Sequence, residues 1–216
     1  LHGLHKGLIM LNFVPQAVLF DLDGTLVDTA PDFVRIINKL RALHQLPPLP
    51  YDEIRAAVSA GARAMITVGF PHYDINSPEF AALRQQLLNE YHANICQDSR
   101  VFTGLEQLLN NLEEQHIPWG IVTNKPRYLS EALLSALHLD TRCKVLVCPE
   151  DVKNTKPDPE PMYLACQTLN VDPTRCVYIG DHIRDIQAGN NANMLTIAVG
   201  FGYIVDGEDI QDWQAD

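Results

Sequence analysis

A short apolar run that ends in paired carboxylates constrains this chain more than any other stretch: Ala17 to Asp28 reads AVLFDLDGTLVD. Val18-Leu19-Phe20 has the length and β-favouring composition of a buried strand, and charge begins where it stops. In extended backbone, residues two apart point the same way, so Asp21 and Asp23 share a side while Leu22 turns to the interior. Gly24 permits a tight change of direction, and Thr25 adds a hydroxyl. Neighbouring carboxylates repel and raise each other's pKa unless a cation lies between them. Hard oxygen donors so arranged suit Mg²⁺. Asp-Gly alone is also ordinary turn chemistry, with Asp or Thr capping the next helix. The full pattern at the end of a buried strand is what points to a cation.

The period then becomes helical. Thr29 or Asp28 can cap a first helix with Pro31 in its opening turn, and Phe33, Ile36, Ile37, Leu40 and Leu43 fall on one face until the proline-rich break at 46–50. Helical patterns follow over about 52–70 and 78–96, with no strand pattern between them. Gly61 interrupts the first of these, and a helix-interior glycine costs about 1 kcal/mol relative to alanine. Either Gly61 opens the backbone so that Arg63 faces a ligand, with Ser59 nearby, or the segment is a kink with an exposed arginine. From Arg100 onward strands and helices alternate, with strands expected at 119–122, 144–148, 176–179 and 195–199. That alternation argues for a parallel sheet with helices on both faces. The expected fold is therefore α/β, a Rossmann-like parallel sheet over residues 14–30 and 98–216, with a helical unit at 31–97.

In such sheets the ligand sits outside the carboxyl ends of the strands. The residues there are Asp21 and Asp23, then Thr123 and Asn124, then Lys153 and Lys156 within VKNTKPDP, then Asp181 and Asp185 within GDHIRD. Thr123 and Asn124 can hold phosphate oxygens, and a lysine ammonium offsets their charge. Asp181, with Asp185 acting through water, can complete a metal site with Asp21 and Asp23. Each fragment is weak singly, since GDxxxD often only caps a helix. Their order after successive strands is what makes the set specific.

Composition narrows the partners. The chain has 216 residues, 46% of them apolar, and a formal net charge of -11. No Lys/Arg cluster suggests a nucleic-acid groove or an anionic membrane surface. An acidic protein that binds a phosphorylated small molecule must instead concentrate its few cations, and a metal, at one place. The five cysteines form no CxxC pair and no even framework, which fits small buried hydrophobes in a reducing compartment. Residues 1–13 read as an upstream leader or remnant, apolar but too short to span a bilayer, with Met10 a sensible start. A cytoplasmic protein follows as the expectation. Oligomeric state is not legible.

DLDGT, VTNK, the KPDP lysine and GDHIRD match, in order, the four motifs of the haloacid dehalogenase superfamily, and the 31–97 unit resembles its small α-helical cap. The resemblance runs from about Val14 to Tyr203. An Asp two residues after the nucleophile marks that superfamily's phosphatases and phosphomutases. SAGARAM, WGIVTNKP and KPDPEP look most like its phosphoglycolate phosphatase branch, including relatives that act on N-acetylmuramic acid 6-phosphate in cell-wall recycling. The resemblance implies that Asp21 attacks phosphorus to give an aspartyl-phosphate. Asp23 is implied as general acid and base. Mg²⁺ is implied on Asp21, the Asp23 carbonyl and Asp181, with Asp185 in support. Thr123, Asn124 and Lys156 are implied to stabilise the equatorial oxygens, and Ser59, Gly61 and Arg63 to read the rest of the substrate. Two departures stand out: His182 sits where many relatives have Ser, Asp or Asn, and the sequence stops before the last strand and helix the family usually adds. Two other readings keep the fold: a phosphomutase resembling β-phosphoglucomutase, and a silent binding module.

Overall fold

The structure is a computed structural model and describes residues 14–205 and 207–216; the stretch read as a leader, residues 1–13, lies outside the described residues. A five-stranded parallel sheet carries the chain, built from β1 (Ala17–Phe20), β4 (Trp119–Val122), β5 (Leu146–Val147), β6 (Cys176–Gly180) and β7 (Leu195–Ala198). The strand order is β5-β4-β1-β6-β7, so the Asp-bearing strand runs down the middle with a neighbour on each side. Alternation along β1 separates two cores. Val18 and Phe20 join Trp119, Ile121, Val177 and Ile179 on one face, and Ala17 and Leu19 join Val122 and Tyr178 on the other. The first face is covered by α5 (Leu105–Glu114) and α6 (Arg127–Ala136), the second by α7 (Glu160–Leu169) and α8 (Ile183–Asn191). Burial on both faces explains why these strands read as continuous apolar runs.

Between β1 and α5 the chain forms a helical unit of α1 (Ala30–Leu43), α2 (Tyr51–Arg55), α3 (Ala62–Gly69) and α4 (Pro78–Ala93), which share their own core around Phe33, Ile37, Ile66, Leu87 and Tyr91. A two-stranded antiparallel ribbon, β2 (Val27–Asp28) with β3 (Arg100–Val101), closes its base. The fully buried Asp32 carboxylate strengthens that closure by accepting from the Ser99 hydroxyl at 2.5 Å and from the Ser99 amide at 3.0 Å.

Three local expectations need correction. The helix expected over 52–70 is two helices, because Gly61 takes φ +91°, in the left-handed region, and starts α3 as its N-cap. Thr29 is the N-cap of α1 but does not cap with its own side chain; the Tyr203 hydroxyl accepts from the Thr29 and Ala30 amides at 2.7 and 2.8 Å. The strand expected over 144–148 is only Leu146–Val147. Among the described residues no helix is long and apolar enough to cross a membrane.

Candidate functional site

Sheet register gathers the site. Phe20 lies opposite Ile121 on one side and Ile179 on the other. The three central strands therefore end level, and Asp21, Thr123 and Asp181 emerge together at the carboxyl edge. Gly24, at φ +83°, turns the chain where any Cβ would collide with Asp181 and Ser59, so glycine is required there.

Lys156 is the cation of this floor. Its ammonium lies 2.8 Å from both Asp21 Oδ1 and Asp185 Oδ1, 2.9 Å from the Tyr178 hydroxyl and 3.0 Å from the Val122 carbonyl. Burial by itself would lower its pKa, but the Asp185 and Asp21 charges outweigh it and the net shift is upward. Two acids against one lysine leave negative charge over, and Asp181 adds a third. Carboxylate oxygens of Asp21, Asp181 and Asp185, all buried, lie within 4.8 Å of one another. Burial first, then the Asp21 and Asp185 charges, push Asp181 up to about 7. A crowded set of hard oxygens with an unneutralised charge fits a divalent cation such as Mg²⁺. Asp181 is further held by the Thr25 hydroxyl at 3.2 Å, the Ser59 hydroxyl at 2.7 Å and the Tyr203 amide at 2.8 Å.

The Asp23 carboxylate stands outside that cluster. It accepts from Thr29 Oγ1 at 2.6 Å and from Lys125 Nζ at 2.8 Å, while the Asp23 carbonyl oxygen lies 3.3 Å from Ser59 Oγ. Of the side chains expected to hold the metal, Asp21 and Asp181 thus lie in the acidic cluster with Asp185, and Asp23 faces elsewhere. Lys125 was not singled out from the sequence although it stands in VTNK. The signal that identifies it is tertiary, since Asp23 is far away in the chain.

Thr123 and Asn124 also line the cleft. Thr123 Oγ1 accepts from the Lys125 amide at 3.1 Å, and the Asn124 amide donates to the Lys156 carbonyl at 3.1 Å, tying the β4 loop to the lysine loop. Lys153 does not join them; its amide donates to Glu160. His182 lies beside the acids, and burial holds it down at about 4, so the ring is neutral at pH 7.

Above the floor the cleft has a volume of about 450 Å³, and the helical unit forms its roof. Ser59, Gly61 and Arg63 all line it; the Ser59 hydroxyl donates down to Asp181, and its carbonyl accepts from Arg184. Arg84, on α4, lines the same cleft and was missed because an arginine on a polar helix face reads as solvated. Neither Arg63 nor Arg84 has a side-chain partner among the described residues, and both are exposed. Five lysines and arginines line the cleft against two aspartates, Asp21 and Asp23.

Comparison with known proteins agrees with this geometry. The family described as haloacid dehalogenase-like hydrolase matches residues 18–199. An N-acetylmuramic acid 6-phosphate phosphatase of Pseudomonas aeruginosa is 45% identical over 93% of this chain and 88% of its own length. A phosphoglycolate phosphatase of Xanthomonas campestris is 41% identical over 94% of this chain and 90% of its own. A crystal structure of a predicted phosphoglycolate phosphatase from Haemophilus somnus superposes with a TM-score of 0.82 at 25% identity, covering 93% of this chain and 91% of that one.

Proposed function

The chain belongs to the haloacid dehalogenase-like hydrolases and is a phosphoric monoester hydrolase, and from that premise we propose that it works through an aspartyl-phosphate on Asp21 and takes a phosphate ester that also carries a carboxylate. The observation that carries this reading is the division of the cleft into a floor of paired charges and a roof of unpaired arginines.

Asp21 Oδ2, the oxygen not held by Lys156, attacks phosphorus in line, and the alcohol leaves with a proton from Asp23. Asp23 then takes a proton from the water that hydrolyses the acyl phosphate. Lys156 fixes the attacking carboxylate through Oδ1, and with Thr123 and Asn124 it offsets charge on the equatorial oxygens, where most catalysis of phosphoryl transfer lies. Asp21, Asp181 and the Asp23 carbonyl, with Asp185 beside them, would hold Mg²⁺, which supplies charge screening between carboxylate and phosphate. The helical unit, residues 31–97, acts as the cap that keeps water from the reacting groups.

Arg63 and Arg84 suit a carboxylate at the far end of the substrate. N-acetylmuramic acid 6-phosphate and 2-phosphoglycolate both carry one, so charge does not separate them, whereas volume does. A cleft of about 450 Å³ falls in the range of sites that enclose a ligand of sugar size or larger, and two carbons would leave most of it to water. The amino-sugar phosphate is accordingly the preferred substrate, and the reaction belongs to a reducing, cytoplasmic setting in which the five free thiols stay unpaired. The test is kcat/KM on both esters, with Asp21→Asn as control. We expect the sugar phosphate to be favoured by at least about tenfold and Asp21→Asn to fold normally without turnover. Preference for 2-phosphoglycolate reverses the substrate assignment; turnover retained by Asp21→Asn removes the mechanism.

A further inference from the structure

Both fixed partners of the Asp23 carboxylate hold the same oxygen. Thr29 Oγ1 and Lys125 Nζ donate to Oδ1 at 2.6 and 2.8 Å, whereas Oδ2 has no partner among the described residues and the side chain lines the cleft. Lys125 is itself an unusual cation. Its side chain is only 5% exposed, and its ammonium lies 4.3 Å from the Tyr91 ring centroid and 5.0 Å from that of Phe33. Those rings stack on each other at 4.2 Å and 10°. Phe33 belongs to α1 and Tyr91 to α4, the two long helices of the roof, while Lys125 follows β4 of the floor.

A buried ammonium keeps a position when its charge meets a carboxylate on one side and aromatic faces on another. We propose that Lys125 is a positioning residue that couples the cap to acid/base chemistry: the Phe33–Tyr91 stack seats its ammonium, the ammonium and Thr29 pin Asp23 Oδ1, and Oδ2 is left facing the substrate. As the ester P–O bond breaks, its electron pair goes to the leaving oxygen, which takes the proton from Oδ2, and the phosphoryl group stays on Asp21. A cap displaced from the floor withdraws the rings, and Asp23 loses its set orientation. This inference rests on Asp23 being the acid of the proposed mechanism.

Leaving-group dependence separates the roles. A p-nitrophenolate departs with little help, whereas an alkoxide needs the proton, and kcat/KM for either ester ends with departure of the alcohol. The experiment compares kcat/KM on p-nitrophenyl phosphate and on an alkyl phosphate for Asp23→Asn, Lys125→Met, Lys125→Gln and Lys125→Arg. We expect Asp23→Asn and the two neutral Lys125 variants to lower the alkyl-to-aryl ratio, the latter by about 10–100-fold, with Lys125→Arg restoring part of it. A ratio equal to that of the parent enzyme in the neutral variants, whether both esters suffer alike or neither does, overturns the assignment of Lys125. A ratio unchanged in Asp23→Asn overturns the acid role itself, which is a different failure. If Lys125→Met does not fold, Lys125→Gln decides.

Discussion

The floor and the roof of the cleft are both rich in charge, yet they hold it in opposite ways. On the floor, Lys156, Asp21 and Asp185 are buried, with both carboxylates accepting from the lysine, and Asp181 accepts from three donors. On the roof, Arg63 and Arg84 are exposed, with no side-chain partner among the described residues. Fixed dipoles that need no reorganisation are what phosphoryl transfer requires, and a buried network is the way to keep them fixed. Unpaired guanidinium groups are what a recognition surface requires, because a charge already satisfied gains little from a ligand. On the proposed reading, chemistry and choice of substrate fall to different layers of one site.

The sharpest way to break that division is Lys156→Met. The change leaves Asp21 and Asp185 buried without their lysine, and removing one partner of a buried ion pair costs about 3–5 kcal/mol. Denaturant unfolding should show a loss of that size, and turnover of every phosphate ester should fall by at least about 10³-fold. A stable variant, or one that loses activity on one ester only, would mean that the floor is less preorganised than its hydrogen bonds imply.

The roof calls for the opposite pattern. Arg63→Ala and Arg84→Ala should each lower kcat/KM on a carboxylated ester by about 10–100-fold, the worth of a hydrogen bond to a charged group, while p-nitrophenyl phosphate changes little. Stability should stay within about 0.5 kcal/mol, as for surface changes in general. Equal losses on both esters would place these arginines in phosphate handling and erase the distinction between the layers.

The same contrast explains what the amino-acid sequence disclosed. The floor is written locally: Asp21 and Asp181 stand just past a strand, Lys156 in the loop after one and Asp185 in the first turn of the helix that follows one, so finding the strands finds the groups. What chain order could not supply is the neighbour relation. β1 lies between β4 and β6, and only that placement brings Lys125 to Asp23 and Tyr178 to Lys156. The roof was less legible. Gly61 showed in SAGARAM as a break, but Arg84 sits in LRQQLLNE with nothing to separate it from a solvated helix face. Ser59 is legible as a site residue, but the bond from its hydroxyl to Asp181 is not, because it depends on how the helical unit seats on the sheet edge.

Tyr203 joins the layers and gives the smallest expected effect on turnover. Its hydroxyl accepts from the Thr29 and Ala30 amides that begin α1 and donates to Asp28 Oδ1 at 2.7 Å; its ring lies under the Arg55 guanidinium of α2 at 4.8 Å; and its amide, not its side chain, holds Asp181. Tyr203→Phe keeps the ring and the amide and removes only the hydroxyl. Two buried N–H groups at a helix start then lack an acceptor, which should cost about 1–3 kcal/mol and lower Tm by several degrees. Because Asp181 keeps its backbone donor, turnover of p-nitrophenyl phosphate should stay within about threefold of the parent enzyme, a difference worth less than 1 kcal/mol. Turnover of a carboxylated ester should fall only as far as the roof loses its alignment. If p-nitrophenyl phosphate turnover instead collapses with Tm, strain at the start of α1 reaches Asp23 through Thr29, and the two layers are one mechanical unit rather than two.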